Sequence, residues 1–181
     1  AGEHFTPRDA ISLLAHLIFE PIRDQLPKIV TLYDPACGSG GMLTEGYEYL
    51  QSIGIRPSAI QLSGTEINPE TYAICKSDLI IKGVDPSGIH LGNTITENNF
   101  AHTSFGYMLS NPPYGKSWKT DKEKIYDEKQ LIDSRFELKL TNFAGEAEVL
   151  DSTPRTSDGQ LLFVLEEIDK MKPLDMQPVG S

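Results

Sequence analysis

Short apolar runs alternate with longer stretches of helical periodicity over the first 115 residues. The apolar and β-branched runs predict four strands, at 29–33, 60–67, 89–91 and 105–109. Apolar residues spaced three and four apart predict helices at 7–18, 42–53, 69–81 and 159–171. Strands that alternate with helices imply crossover connections and parallel neighbours. We therefore expect the α/β class, with a doubly wound, mostly parallel sheet.

Two of these helices begin at residues with capping chemistry. Thr6 suits the N-cap of the first helix, with Pro7 at its first helical position. Asn68 followed by Pro69 suits the start of the third helix in the same way.

The pattern is lost between residues 116 and 158. A connection normally takes ~4–6 residues, so this stretch is a functional lid, a mobile and irregular loop, or a set of elements that the pattern hides. Its one helical candidate is 121–132. Seven basic residues lie within 116–139: Lys116, Lys119, Lys122, Lys124, Lys129, Arg135 and Lys139. The run 116–124 is either a solvated loop or a contact for phosphate groups of a ligand.

A chain of 181 residues suits one domain, spanning 1–181. Four strands with an unmatched final helix predict a truncated sheet, so we expect a fragment of a larger domain. No apolar run is long enough for a membrane span, and the first residues do not resemble a signal peptide. With only two cysteines, a reducing cytoplasm is the expected location.

The chain is acidic, which limits how it can meet nucleic acid. It carries 16 Lys and Arg against 26 Asp and Glu, a formal net charge of −10. A protein that holds nucleic acid alone usually presents a basic face. We expect poor binding of DNA or RNA by this chain without a partner.

The first candidate site is Asp34-Pro35-Ala36-Cys37-Gly38-Ser39-Gly40-Gly41, between a strand and a helix. Glycines allow a ligand to approach the backbone, and the helix start offers unpaired N–H donors. Glu66, at the end of the second strand, can accept both hydroxyls of a ribose. Together they indicate a cofactor that contains a nucleoside, and the alternative is a tight turn with no ligand.

The residues around the turn discriminate among cofactors. NAD favours Gly-x-Gly-x-x-Gly, but Leu43 stands at the third glycine position. A phosphate-binding loop needs Gly-Lys-Ser/Thr, which the turn lacks. Asp34 would repel a pyrophosphate and suits a positively charged amine. Cys37 is expected to be a small buried residue rather than a reactive thiol, and the four histidines have no metal-ligand spacing.

The second candidate site is Asn111-Pro112-Pro113-Tyr114-Gly115, after the fourth strand. Ligands of open α/β sheets bind beyond the carboxyl ends of the strands, so both sites are expected at one crevice. The Asn111 oxygen beside a carbonyl gives two acceptors for an –NH₂ group, and the Tyr114 ring suits stacking on a planar base. A proline-rich turn with a packed tyrosine is the simpler alternative.

The two motifs together resemble S-adenosylmethionine-dependent N6-adenine DNA methyltransferases. More narrowly, the chain resembles the modification subunit of type I restriction-modification systems. The matching segments are 2–8, 66–70, 91–94, 111–118 and 158–163. This resemblance implies a Rossmann-like methyltransferase fold with S-adenosylmethionine as cofactor.

The resemblance also assigns roles to individual residues. It implies that Asp34 faces the methionine amine, Glu66 binds the ribose and Asn93 lies near the cofactor adenine. The full set of implied cofactor contacts is Glu3, His4, Phe5, Thr6, Pro7, Arg8, Asp34, Gly38, Ser39, Gly40, Gly41, Glu66 and Asn93. The implied catalytic residues are Asn111, Pro112, Pro113 and Tyr114, which would hold a flipped adenine. No metal is implied.

The implied partners are DNA, reached through a separate specificity subunit, and the restriction subunit of the same system. The low basic content fits a subunit that leaves sequence reading to another chain. Three alternatives remain: a protein glutamine methyltransferase, which shares the Asn-Pro-Pro-Tyr motif, a non-catalytic assembly subunit, and a dehydrogenase.

Overall fold

The computed structural model describes residues 6–173. Its central sheet has four parallel strands in the order β3-β2-β1-β4. The strands are β1 (Val30–Asp34), β2 (Ile60–Glu66), β3 (Ile89–Leu91) and β4 (Tyr107–Met108). The main helices are α1 (Arg8–Phe19), α2 (Gly41–Ser52), α3 (Pro69–Ile81) and α5 (Gln160–Lys170), with a single turn α4 at Lys122–Ile125. The predicted α/β class and parallel sheet are confirmed.

Alternation along β1 places helices on both faces of the sheet. Val30 and Leu32 are fully buried in the core that β1 and β2 share with α1, α2 and α3. Tyr33 points the other way, into a cluster with Phe100 and Phe105. Its hydroxyl donates to Glu166 Oε1 of α5 at 2.9 Å. Successive residues of a strand face opposite sides, so β1 is buried on both.

The sheet reverses its order beside β1. β1 pairs with β2 on one side, from Val30↔Ile60 to Asp34↔Gly64, and with β4 on the other. β1, β2 and β3 follow one another outward in one direction, and β4 lies in the opposite direction. This arrangement is a topological switch point, where open α/β sheets bind ligands.

The chain after α5 runs alongside Phe105, two residues before β4. Phe105 N–H donates to Lys170 O at 2.8 Å, and Lys172 N–H donates to Phe105 O at 3.0 Å. Phe105 and Met171 thereby form a parallel bridge. β4, at Tyr107–Met108, is shorter than the predicted 105–109. Helix α5 ends at Lys170, one residue before the predicted Met171.

The start of α1 differs from the sequence prediction. Pro7, rather than Thr6, occupies the N-cap, and no side chain caps this helix. The Thr6 hydroxyl instead accepts a hydrogen bond from Asn111 Nδ2 at 2.8 Å. The prediction for α3 is confirmed, because Asn68 Oδ1 accepts from the N–H of Glu70 at 2.9 Å and of Thr71 at 3.3 Å.

The segment 116–158 contains more secondary structure than the sequence predicts. The candidate helix at 121–132 is wrong beyond Ile125, where the chain enters a hairpin of β5 (Tyr126–Asp127) and β6 (Gln130–Leu131). A second hairpin pairs β7 (Glu137–Thr141) with β8 (Ala147–Asp151). Three buried side chains of this segment, Trp118, Ile125 and Phe136, form a second hydrophobic cluster. The cluster also contains Ile95 and, from α5, Leu162 and Phe163. An irregular loop is therefore an incorrect description of this segment.

No helix within residues 6–173 is both long enough and apolar enough to cross a membrane.

The turn before α2 gives a stability prediction. Gly40 has φ +87°, and a Cβ there would lie 2.7 Å from the buried Cys75 Sγ. Gly54 has a similar φ of +96°, but a Cβ there would meet no atom within 4 Å. Gly54→Ala should cost the backbone strain alone, about 1–3 kcal/mol. Gly40→Ala should cost about 1–3 kcal/mol more, because the buried Cys75 side chain must move within a packed core.

Urea unfolding of both variants, followed by circular dichroism, measures this difference in the free energy of unfolding. Equal losses in the two variants would show that Gly40 is required for its backbone conformation and not for its contact with Cys75.

Candidate active site

Asp34, the last residue of β1, lines a cleft beyond the carboxyl ends of the strands. Its carboxyl is almost fully buried and accepts a hydrogen bond from Ala36 N–H at 2.9 Å. Burial, with the carboxylates of Glu167 and Glu66 nearby, raises the pKa of Asp34 to about 7. Since no Lys, Arg or His side chain within residues 6–173 forms an ion pair with this carboxyl, a positive charge placed beside it would restore ionisation.

The glycine turn is held by backbone hydrogen bonds. Cys37 N–H donates to Thr65 O at 3.0 Å, and Gly40 N–H donates to Cys37 O at 2.8 Å. Gly38 has φ +55°, and the position of its missing Cβ is open space. A ligand can therefore approach the backbone at Gly38 closely.

Cys37 is buried, as the sequence predicts. A hydrogen bond with Cys75 and burial both raise the pKa of the Cys37 thiol. A thiol with a raised pKa stays protonated and is a poor nucleophile, so Cys37 has the properties of a packing residue.

Glu66 connects the glycine turn to the start of α3. One carboxylate oxygen, Oε2, accepts from Gly38 N–H at 2.9 Å, and the other, Oε1, accepts from Asn68 N–H at 2.7 Å. A carboxylate has about four acceptor positions, so two remain for a ligand's hydroxyl groups. Glu66 thus aligns the turn with the start of α3 and keeps capacity for a ribose.

Asn93 follows β3 and is held at both ends of its amide. Its Oδ1 accepts from Ile95 N–H at 3.0 Å, and its Nδ2 donates to Asp121 Oδ1 at 3.0 Å. Asp121 belongs to the segment 116–158 and lines the same cleft. This segment therefore forms one wall of the cleft, beside Asn93.

The Asn-Pro-Pro-Tyr motif also lines the cleft. Asn111 Nδ2 donates to Thr6 Oγ1 at 2.8 Å, which directs its Oδ1 to the other side of the amide group. Tyr114 is 71% exposed, so its ring offers a free face at the mouth of the cleft.

The cleft has a volume of about 720 Å³, within the range of small-molecule sites. It brings together eleven of the residues predicted from the sequence: Thr6, Asp34, Gly38, Ser39, Gly41, Glu66, Asn93, Asn111, Pro112, Pro113 and Tyr114. A second depression, of about 480 Å³, is lined by Asp127–Gln130 and holds none of them.

The structure does not bring every predicted residue to the cleft. The Arg8 guanidinium forms ion pairs with Glu45 and Glu48 of α2, and its side chain is 76% exposed. Pro7 and Gly40 are absent from the lining; Pro7 caps α1, and Gly40 contacts Cys75. Glu3, His4 and Phe5 lie outside the described residues.

Sequence reasoning did not assign many of the other residues that line the cleft, among them Ile67, Trp118, Asp121 and Phe163. Ile67 directly follows Glu66, is 63% exposed and gives the cleft an apolar side. The position of Ile67 directly after an acidic residue at the end of a strand was the one feature of the sequence that could have assigned it to the cleft. Trp118 and Asp121 lie where the periodicity is lost.

Among the described residues, no group of three or more His, Cys, Asp or Glu side chains could hold a metal ion.

Comparison with known proteins gives relatives along most of the chain. It is 28% identical over 135 residues to the type I restriction enzyme MjaIX methylase subunit of Methanocaldococcus jannaschii. It is 32% identical over 132 residues to the MpnII methylase subunit of Mycoplasma pneumoniae. These matches cover 74% and 67% of this chain but 23% of each relative, so the chain spans about a quarter of their length.

A solved structure shows the same fold. The type I restriction-modification system methyltransferase subunit from Streptococcus thermophilus superposes with a TM-score of 0.68 at 24% identity. The superposition covers 94% of this chain and 32% of that one. The family model described as N-6 DNA Methylase matches residues 1–170. The chain therefore belongs to the N-6 DNA methylase family.

Proposed function

We propose that this chain is the cofactor-binding and catalytic core of an enzyme that methylates the N6 amino group of adenine in DNA, with S-adenosylmethionine as methyl donor. The observation that carries the proposal is a cleft of about 720 Å³ that Asp34 and Glu66 line together with the Asn-Pro-Pro-Tyr motif. Membership of the N-6 DNA methylase family supports adenine in DNA over a protein glutamine as substrate.

The charge of the cleft supports this cofactor. Three acids, Asp34, Glu66 and Asp121, line it against one cation, Lys116. This balance favours a ligand with positive charge and disfavours a pyrophosphate. S-adenosylmethionine carries an ammonium and a sulfonium. Leu43, at the third position of a dinucleotide fingerprint, is fully buried in the core, which argues against NAD.

The chain's residues would divide the cofactor among them. In this proposal Asp34 pairs with the ammonium, and Glu66 accepts the ribose hydroxyls with its remaining lone pairs. Gly38 gives the ligand access to the backbone, and Asn93 contacts the edge of the cofactor adenine. The bound cofactor supplies a methyl group on a sulfonium, which is already a good leaving group.

The Asn-Pro-Pro-Tyr motif would hold the substrate base. Asn111 Oδ1 and the Pro112 carbonyl accept from the two hydrogens of the adenine amino group, and Tyr114 stacks on the ring. Two acceptors raise the electron density of a nitrogen whose lone pair is otherwise delocalised into the ring. A base stacked in a duplex cannot reach this position, so the adenine must be flipped out. The remaining task is alignment for in-line transfer.

We propose DNA, a specificity subunit and a restriction subunit as partners. The net charge of −10 supports delivery of DNA by another chain. The names of the MjaIX and MpnII relatives place those proteins in type I restriction enzymes.

Substitutions in the motif should separate catalysis from cofactor binding. Asn111→Ala and Tyr114→Ala should each lower DNA methylation by the full-length protein with its partners by at least about 100-fold, because the target nitrogen loses its positioning. Their affinity for S-adenosylmethionine should stay within about threefold, since neither side chain is assigned to the cofactor. Transfer of a radiolabelled methyl group and calorimetry measure the two quantities.

Tyr114→Phe keeps the stacking ring and should retain most of the activity. Phe143→Ala removes an exposed aromatic ring from the β7–β8 turn, away from the cleft, and is the matched control. Loss of cofactor affinity as large as the loss of methylation would contradict the roles assigned to Asn111 and Tyr114.

Binding of the cofactor should depend on pH through Asp34. The pKa of Asp34 is raised to about 7 in the ligand-free protein, and a bound ammonium would lower it. Binding below this pH must therefore release a proton, and the Kd should rise by up to about tenfold for each pH unit below 7. Above 7 the Kd should be flat until the cofactor amine itself titrates.

Asp34→Asn should bind the cofactor weakly, with no such slope between pH 5.5 and pH 8. Burial raises the pKa of Glu167 to about 7 as well, so Glu167→Gln is the matched control. It should keep the slope, with its onset at a lower pH, because Glu167 contributes to the raised pKa of Asp34. The assignment of Asp34 to the ammonium is wrong if Asp34→Asn keeps the pH dependence of the unsubstituted chain.

The same raised pKa has an opposite consequence for folding. A carboxyl whose pKa is higher in the folded than in the unfolded state stabilises the fold below its unfolded pKa of 3.8. This contribution is lost as the pH rises through about 7. Asp34→Asn should therefore unfold at a higher temperature than the unsubstituted chain at pH 8, and thermal unfolding measures this.

A further inference from the structure

We propose that Arg135 is a positioning residue for the cofactor adenine. From inside the segment 116–158 it holds the loop 93–95, which carries Asn93. The inference rests on the proposed function, in that Asn93 is taken to contact the adenine.

The Arg135 guanidinium binds two consecutive carbonyls of this loop. Its Nη1 donates to Thr94 O at 2.7 Å, and its Nη2 donates to Ile95 O at 3.0 Å. Arg135 is only 4% exposed, and it belongs to the short helical turn Ser134–Phe136. A planar group that spans two neighbouring carbonyls restrains both the position and the orientation of the loop.

Two carboxylates hold the guanidinium in place. Nη1 also donates to Glu166 Oε2 at 2.9 Å, and Nη2 donates to Asp133 Oδ2 at 2.6 Å. Glu166 in turn accepts from the Tyr33 hydroxyl of β1 at 2.9 Å through its other oxygen. The loop is thus connected through Arg135 to α5 and to the central strand of the sheet.

The restrained loop includes the residue assigned to the cofactor base. Asn93 lies next to Thr94, and its Oδ1 accepts from Ile95 N–H at 3.0 Å. Thr94 Oγ1 donates to Pro35 O, beside the glycine turn. Displacement of the Thr94 and Ile95 carbonyls would therefore move the Asn93 amide relative to the rest of the cleft.

A lysine cannot replace Arg135 in this role. An ammonium on a flexible stem can pair with Glu166, but it lacks the rigid fork that serves two carbonyls and two carboxylates together. Stability alone does not reveal the role either, since buried ion pairs can often be replaced by apolar residues without loss of stability. The informative readouts are the order of the loop and the recognition of the adenine edge.

The test uses Arg135→Met/Glu166→Gln, which removes the two most deeply buried charges of the cluster together. The Asp133 carboxylate also pairs with Arg135, but its side chain is 19% exposed and keeps contact with water. Hydrogen–deuterium exchange of the ligand-free chain measures the loop, where Thr96 and Glu97 N–H both donate to Asn93 O. Calorimetry compares S-adenosylhomocysteine with its inosine analogue, in which the 6-amino group is replaced by an oxo group. Arg135→Lys is the second variant and keeps the charge opposite Glu166.

We expect exchange at 93–97 to rise by at least about tenfold in the double variant, with the exchange of α2 unchanged. The preference for the adenine over the inosine ligand should fall by at least about fivefold in both variants. Arg155→Met is the matched control, because the Arg155 guanidinium pairs with Asp158 in the same segment while 86% exposed. It should change neither quantity.

Equal weakening of both ligands with an unchanged preference would overturn the proposal, as would unchanged exchange at 93–97. If the unsubstituted chain binds neither ligand, the proposed function fails for this chain. Exchange then decides separately whether Arg135 holds the loop. If the double variant does not fold, Arg135→Lys decides between the same outcomes.

Discussion

Parallel pairing of β1 with β2 on one side and β4 on the other is the constraint on which the cleft depends. Register from Val30↔Ile60 to Asp34↔Gly64 brings the ends of β1 and β2 to one edge of the sheet. Because the strand order reverses at β1, the loops after these strands diverge and leave a crevice between them. The hydrogen bond from Gly38 N–H to Glu66 connects two of these loops, and that from Asn111 to Thr6 connects a third to α1. The candidate residues therefore come together because the strands pair in this register, although they lie far apart in the sequence.

Charge then selects what the crevice can hold. The charged side chains that line the cleft are three acids and one lysine, on a chain with net charge −10. This excess of acids suits a cationic small molecule and not a phosphate-rich one. The raised pKa of Asp34 reflects the cost of burying a carboxylate without a cationic partner. A ligand's ammonium would remove that cost, so binding and ionisation are coupled. DNA is negatively charged and is bound by positively charged surfaces. This requirement is consistent with a separate DNA-binding subunit in the proposed assembly.

Local patterns in the sequence were sufficient for the α/β class, four parallel strands and the convergence of two motifs. They failed where contacts are distant in sequence. The direction of Arg8 depends on Glu45 and Glu48, acids of another helix, and the hydroxyl of Thr6 is taken by Asn111, 105 residues away. The role of Arg135 depends on carbonyls 41 and 40 residues earlier, within a segment that lacks periodicity. Periodicity reports which face of an element is buried and not what that face meets.

The central claim is that the cleft binds S-adenosylmethionine through the acid-lined turn, and titration calorimetry of this chain tests it most directly. S-adenosylmethionine and NAD are titrated in parallel against the unsubstituted chain and against Glu66→Ala. We expect saturable binding of S-adenosylmethionine alone, lost in Glu66→Ala because the ribose acceptors are removed and Gly38 N–H loses its partner. Binding of NAD, or binding of S-adenosylmethionine that survives in Glu66→Ala, would contradict it.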